Sequence, residues 1–193
     1  NPCSRDYVAI DVSPDGRYRV AYEGLTIMRP IALQDVQSSG DDWVPFITQV
    51  NGSVIGQFLN DHLIAVTDVG APRGRVVLIP LETASANDTS TWIEIVSESD
   101  AIIRTLSIIG KHLFITELID TYSRIKIADL NGNSVGEVPL PKKVAVVEPA
   151  FPIMRLKHQK NTEAFLFSFS SFSESWGVYS YRLGDDKITT LRK

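Results

Sequence analysis

The chain has 193 residues, 44% of them hydrophobic and 22% charged, with a formal net charge of −4. This composition is typical of a globular domain with a real core, and it is too apolar for a disordered chain. The mild acidity argues against nucleic-acid binding, which needs a basic surface. No apolar run reaches the roughly 18 residues of a membrane helix.

Cys3 is the single cysteine, so an internal disulfide and a cysteine-based zinc site are excluded. A chain without disulfides fits a reducing compartment, and we expect a soluble, cytoplasmic protein. The chain starts with neither Met nor a signal peptide, at the beginning of a β pattern. From this start we expect a piece of a longer protein.

Strand patterns fill the chain, and helix patterns are poor. Apolar residues alternate with polar ones or run in short blocks bounded by Gly, Asn, Asp and Pro. In chain order, the first two groups of strands are predicted at residues 7–12, 17–22, 27–33 and 43–50, then 53–59, 62–68, 75–81 and 91–97. The last two groups are predicted at residues 101–109, 112–118, 124–130 and 134–140, then part of 144–157, 164–169, 177–183 and 187–192.

The second and third groups also resemble each other in sequence. His62 and His112 open equivalent strands 50 residues apart, and Arg75 and Arg124 open the next strands 49 residues apart. Four-stranded units at this spacing are typical of β-propeller blades. We therefore predict an all-β fold, a partial β-propeller of about four antiparallel blades at residues 5–50, 51–100, 101–141 and 142–193. A sandwich of short strands is the alternative, which the recurring unit disfavours.

The longer loops are predicted between the second and third strands of each group. They are residues 23–26, 69–74, 119–123 and 170–176. Equivalent loops of propeller blades emerge on one face, so these loops should share a rim, and such a rim is where a propeller usually contacts its partner. The candidate rim residues are Arg73, Asp120, Tyr122, Ser171, Phe172 and Trp176.

One motif resembles a catalytic one. Residues 132–136 match G-x-S-x-G, the nucleophile pattern of α/β-hydrolases, which needs a strand before Ser134 and a helix after it. The segment that follows contains Pro139 and Pro141 and cannot form a helix interior. We interpret residues 131–133 as a hairpin turn and predict no catalytic residue in this chain.

Metal-binding patterns are equally poor. Asp129, Asn131 and Asn133 resemble part of a calcium loop, but the Gly and the later Glu are misplaced, which favours a hairpin. The three histidines lack metal-ligand spacing, and two of them hold equivalent strand starts. We predict neither a metal site nor a cofactor. An enzyme whose site is not visible in the sequence is the least favoured interpretation.

Five segments carry a family resemblance. They are residues 67–77, 92–96, 117–124, 129–141 and 165–179, which include TDVGAPRGRVV, WIEIV, ELIDTYSR, DLNG with VPLP, and FLFSFSSF. In this order they resemble the prolyl oligopeptidase family of serine peptidases, most strongly from residue 43 to residue 193. The resemblance implies blades four to seven of a seven-bladed propeller, ending just before an α/β-hydrolase domain.

The resemblance also implies a function. In that family the propeller caps the active site of the hydrolase domain and restricts it to short peptides. This chain would be a non-catalytic segment, and its partners would be the absent hydrolase domain and the remaining blades. The rim residues would face the hydrolase domain, and the chain would meet the peptide substrate only indirectly. The alternative is a stand-alone propeller-like module that binds a protein through its loops.

A segment of a ring also leaves two blade faces uncovered. If each face exposes several hundred Å² of apolar surface, about 25 cal/mol per Å² makes the cost on the order of ten kcal/mol. We therefore expect self-association through the terminal blade faces. We expect neither nucleic acid nor a membrane as a partner.

Overall fold

The computed structural model describes residues 8–24, 27–38, 42–141, 144–147, 164–173 and 175–192. Within these residues the chain forms four antiparallel four-stranded sheets, in each of which consecutive strands pair as a meander. The prediction of an all-β chain with four four-stranded sheets is confirmed. The described residues contain no helix long and apolar enough to span a bilayer.

The first two sheets comprise β1 Val8–Val12, β2 Tyr18–Glu23, β3 Arg29–Asp35 and β4 Val44–Pro45, then β5 Val54–Leu59, β6 His62–Thr67, β7 Arg75–Pro80 and β8 Ile93–Val96. The last two sheets comprise β9 Ile102–Ile109, β10 His112–Ile119, β11 Tyr122–Asp129 and β12 Ser134–Glu137, then β13 Ala145–Val147, β14 Ala164–Ser170, β15 Gly177–Arg182 and β16 Thr189–Arg192. The chain divides into two compact units, Asn1–Ser97 with the first two sheets and Glu98–Lys193 with the last two.

In the first unit, Tyr22 on β2 joins the first sheet to the second. Its hydroxyl donates to the Gly56 carbonyl at 3.1 Å and accepts from the Gly56 amide at 3.3 Å. Gly56 has no room for a side chain, because a Cβ there would lie 2.6 Å from the Ile64 carbonyl oxygen. Glycine at this position lets β5 and β6 approach closely, and Tyr22, which bonds to the Gly56 backbone, is itself buried.

The connection between β7 and β8 is long and contains one helical turn, α1 Thr83–Ala86, and a 3₁₀ turn, Thr89–Thr91. Asn87 ties this connection to the segment after β4. Its Oδ1 accepts from the amides of Thr48 (2.9 Å) and Gln49 (3.0 Å), while its Nδ2 donates to the carbonyls of Phe46 and Thr83.

Two predictions about these segments were wrong. The strand predicted at 43–50 shortens to β4 Val44–Pro45, because the amides of Thr48 and Gln49 bond to Asn87 rather than to a strand. The longest loops were expected between the second and third strands of each sheet. In the second sheet, however, the connection between β7 and β8, residues 81–92, is longer than the connection between β6 and β7, residues 68–74.

The second unit has an aromatic core between the third and fourth sheets. Phe114 on β10 stacks on Phe165 of β14 with ring centroids 4.6 Å apart, and Phe169 stacks on Tyr179 of β15 at 4.0 Å. Phe165, Phe167 and Phe169 are all buried on one face of β14. All three phenylalanines belong to the core that joins these two sheets.

A buried carboxylate lies in the middle of the third sheet. Glu117 on β10 is 1% exposed, and Arg124, its cross-strand partner on β11, donates to Glu117 Oε2 from Nε (2.9 Å) and from a terminal nitrogen. Lys126 Nζ lies 3.1 Å from Oε1 as an ion pair without hydrogen-bond geometry. The equivalent position of the second sheet is Thr67, which pairs with Arg75. The two sheets therefore share a backbone pattern but not this ion pair.

Candidate interface loops

The hairpin between β10 and β11 is tighter than the sequence suggests. Ile119 pairs directly with Tyr122, so the turn is only Asp120 and Thr121, and Asp120 adopts a φ of +51°. The loop predicted at 119–123 is therefore a two-residue turn, and Tyr122 is the first residue of a strand rather than a loop residue. Asp120 is exposed and Tyr122 is half-buried.

The loop between β14 and β15 carries the most exposed aromatic side chains of the candidate set. Phe169 pairs with Gly177 where the two strands meet the loop. Phe172 is fully exposed and Trp176 is 53% exposed, whereas Ser171 is half-buried. The Ser171 hydroxyl accepts from the Ser173 amide at 3.3 Å, which bends the start of the loop.

Backbone contacts bring this turn and this loop to one edge of the second unit. The Ser123 amide, next to Tyr122, donates to the Val144 carbonyl at 2.8 Å, and the Val146 amide donates to the Ser123 hydroxyl at 3.0 Å. Ala145, between those two valines, pairs with Ser170 at the end of β14. Asp120, Tyr122, Ser171, Phe172 and Trp176 therefore lie along the same edge of their unit.

Arg73 lies in the other unit, in the connection between β6 and β7. That connection folds as two successive turns, with the Ala71 amide donating to the Asp68 carbonyl at 3.1 Å and the Gly74 amide to the Ala71 carbonyl at 2.7 Å. Gly70 and Gly74 both have positive φ, +69° and +87°. Arg73 is exposed on this loop, and its membership of one rim with the other five residues stays a prediction.

The motif around Ser134 forms a hairpin, as predicted. The Gly132 amide donates to the Asp129 carbonyl at 3.0 Å, and the Asp129 carboxylate accepts from the amides of Asn131 and Asn133 and from the Asn133 side chain, each at 2.8 Å. The hydrogen bond from the Asn133 side chain is the main cause that lowers the pKa of Asp129. Ser134 opens strand β12, where a nucleophile motif requires a helix.

The histidines hold the strand starts expected of them. His62 opens β6 opposite Pro80, and His112 opens β10 opposite Asp129; His158 lies outside the described residues. Among the residues that the structure describes, no three His, Cys, Asp or Glu side chains gather as a metal ion would need. The candidate edge presents exposed aromatic rings, a carboxylate and serine hydroxyls, which are side chains suited to contact with a partner.

Four successive four-stranded meander sheets are the kind of unit that β-propeller blades repeat. Residues 4–193 match the family model of the prolyl oligopeptidase N-terminal β-propeller domain. The chain belongs to this family.

Similar proteins agree with that assignment. A prolyl endopeptidase of Elizabethkingia miricola is 29% identical over 139 residues, which cover 71% of this chain and 19% of the relative. A structure from a study of two prolyl endopeptidases, on inter-domain dynamics in catalysis and specificity, is 25% identical with a TM-score of 0.77, covering 97% of this chain and 26% of that one. Prolyl oligopeptidase B from Galerina marginata shares the fold, with 13% identity and a TM-score of 0.73 over 100% of this chain and 27% of that one. The chain thus spans about a fifth to a quarter of these relatives.

Proposed function

We propose that this chain is the non-catalytic part of a prolyl oligopeptidase-type serine peptidase that covers the active site and limits access to short peptides. The observation that carries the proposal is the match of residues 4–193 to the family's N-terminal propeller domain. Relatives that are prolyl endopeptidases support the same class of parent protein. A cytoplasmic location belongs to the proposal and rests on the single cysteine of the sequence.

The proposed partners are an α/β-hydrolase domain and the remaining blades of the same polypeptide. A peptide substrate would be met indirectly, on its way to the hydrolase site. The proposed contact residues are Arg73, Asp120, Tyr122, Ser171, Phe172 and Trp176. Support comes mainly from Phe172 and Trp176, because large aromatic rings exposed on a loop are typical of contact surfaces.

The proposal is tested on the full-length protein by comparing two substrates. A short proline-containing peptide reports the intrinsic activity, and a denatured proline-containing protein reports how well large substrates are kept out. Replacing both exposed rings (F172S with W176S) should loosen the contact and raise kcat/KM for the large substrate several-fold relative to the short one. V135S, which removes an exposed apolar side chain from β12, is the matched control and should leave the ratio unchanged.

Two results would contradict the proposal. An unchanged ratio in the F172S/W176S variant would exclude a gating contact at this loop. A gene whose product lacks an α/β-hydrolase domain with a true nucleophile motif would favour a stand-alone interaction module instead. The 193-residue chain alone should cleave neither substrate.

A further inference from the structure

The sequence contains two Asn-Gly pairs, Asn51-Gly52 and Asn131-Gly132. Both asparagine side chains are exposed. The pair matters chemically because glycine has no Cβ to shield its amide nitrogen, so this nitrogen can approach the side-chain carbonyl carbon of the preceding asparagine. The two pairs carry the same atoms but lie in different backbone settings.

In the second unit, Asn131-Gly132 is held in the hairpin between β11 and β12. The Gly132 amide donates to the Asp129 carbonyl at 3.0 Å. The amides on either side, of Asn131 and Asn133, donate to Asp129 Oδ1 at 2.8 Å. The Gly132 nitrogen, which would attack the Asn131 side chain, is therefore held in a hydrogen bond. The amides of Asn131 and Asn133 are held in the same way.

In the first unit, Asn51-Gly52 lies in the connection between β4 and β5. In the described part of the chain, the Gly52 amide makes no hydrogen bond, and the Asn51 side chain makes none either. Gly52 has a φ of +147°, a conformation that favours glycine. Neither the Gly52 nitrogen nor the Asn51 side-chain amide that it would attack is held by a hydrogen bond among the described residues.

We propose that Asn51 is a site of spontaneous deamidation and that Asn131 is protected by the fold. The Gly52 nitrogen, losing its proton to solvent, bonds to the Asn51 side-chain carbonyl carbon, and the carbon–nitrogen bond of the side-chain amide breaks, releasing ammonia. The resulting five-membered succinimide is opened by water at either carbonyl, which leaves aspartate or isoaspartate at position 51. Water is the one co-reactant, and no oxidation state changes.

Asn87 shows the opposite case. Its side chain accepts from the amides of Thr48 and Gln49 and donates to two carbonyls. A side chain fixed by four hydrogen bonds cannot swing onto the following amide, which belongs to Asp88. Asn87 is therefore not a deamidation site, although it is an asparagine in a connection like Asn51.

The product at position 51 would lie where the first two sheets are joined. The Val50 carbonyl accepts from Arg29 at 2.9 Å, and the Ser53 amide donates to Asp68 Oδ1 at 2.6 Å. Isoaspartate adds one carbon to the backbone between these anchors, and either product adds a negative charge close to Asp68. Deamidation at Asn51 should therefore loosen the entry into β5.

The test follows both sites in the full-length protein during incubation at mildly alkaline pH. Proteolytic peptides are analysed by mass spectrometry for the exchange of NH₂ for OH, and isoaspartate is detected with an isoaspartyl methyltransferase. In the folded protein Asn51 should react roughly fivefold faster than Asn131, because an ordinary hydrogen bond must open before the Gly132 nitrogen can attack. In urea the two rates should become equal.

Two variants identify the source of the isoaspartate signal. N51Q should remove most of it, since glutamine forms the equivalent ring slowly, whereas N131Q should leave it in place. The inference is overturned if Asn51 does not deamidate in the folded protein or if both sites react at the same rate there. It is also overturned if the ratio of the two rates persists in urea, because the local sequence rather than the fold would then set it.

Discussion

Two buried tyrosines, Tyr22 and Tyr179, differ in whether the hydroxyl has a hydrogen-bond partner. The hydroxyl of Tyr22 makes two hydrogen bonds with the backbone of Gly56. The hydroxyl of Tyr179 is buried without a hydrogen-bond partner among the described residues. Y22F should therefore lower the free energy of unfolding by about 1 kcal/mol, because it leaves the partly buried amide and carbonyl of Gly56 without this partner.

Y179F is the matched control for this prediction. It removes the same oxygen from a site where that oxygen gains nothing, so stability should be unchanged or should rise slightly. Urea denaturation followed by circular dichroism measures both variants. Equal losses in the two variants would mean that the contact between Tyr22 and Gly56 contributes no more than ring packing.

The lowered pKa of Asp35 predicts how the stability of the fold depends on pH. Hydrogen bonds from Arg17, the shortest at 2.9 Å, lower the pKa of the Asp35 carboxyl from its ordinary 3.8 to about 2. Because this pKa is lower in the folded state, the pair stabilises the fold above about pH 4, and that contribution is lost as the pH falls towards 2. D35N should therefore flatten the fall of the urea midpoint across this window.

R17M is a second route to the same result. It removes the cause of the lowered pKa and should flatten the profile as D35N does. A profile of D35N as steep as that of the unmodified protein would show that other carboxylates account for the acid sensitivity. Asp129 is one such carboxylate, since hydrogen bonding lowers its pKa as well.

At the scale of strands, the buried Glu117 makes the third sheet sensitive to loss of charge. R124M would leave this carboxylate with Lys126 alone and should lower the free energy of unfolding by about 3 kcal/mol. R75M at the equivalent position of the second sheet should cost less than about 1 kcal/mol, because its partner Glu94 is largely exposed.

A double variant separates charge from packing. E117T introduces the residue type that the second sheet has at the equivalent position, so R124M with E117T should recover most of the loss caused by R124M. Chemical denaturation of the single and double variants gives the coupling energy directly. No recovery would mean that Arg124 acts through packing of its side chain rather than by compensating the buried carboxylate.

Strand positions were predictable where turn residues mark their ends. Strand β6 was predicted at 62–68 and spans His62–Thr67, and Gly110, with a φ of +58°, marks the turn before β10. The turn at Asp120 lacks the usual Asn-Gly signal, so the sequence predicts a longer loop there. The strand prediction for the segment after β4 was wrong for another reason, because the apolar residues of that segment are buried without continuing the strand. Contacts such as that of Asn87 with Thr48 depend on residues far apart in sequence, which no local pattern encodes.

At the scale of the whole molecule, the first and fourth sheets each expose apolar side chains on one face. Ile10 and Val12 on β1 are 55% and 39% exposed, and they alternate with Asp11, whose cross-strand partner Val20 is buried on the other face. Leu166 on β14 is 42% exposed on the face opposite Phe165 and Phe167. We expect the 193-residue chain to associate with a second copy, the face of the first sheet in one copy covering that of the fourth sheet in the other.

Light scattering of the purified 193-residue chain at micromolar concentration tests this association, with a dimer as the expected result. Replacing Leu166 by serine, or Ile10 and Val12 together, should shift the chain towards the monomer, because each change removes apolar surface that the contact would bury. V135S removes a comparably exposed side chain from β12 and should leave the mass unchanged. If the unmodified chain is a monomer, its exposed apolar side chains remain in solvent without driving association, and the prediction of a dimer is wrong.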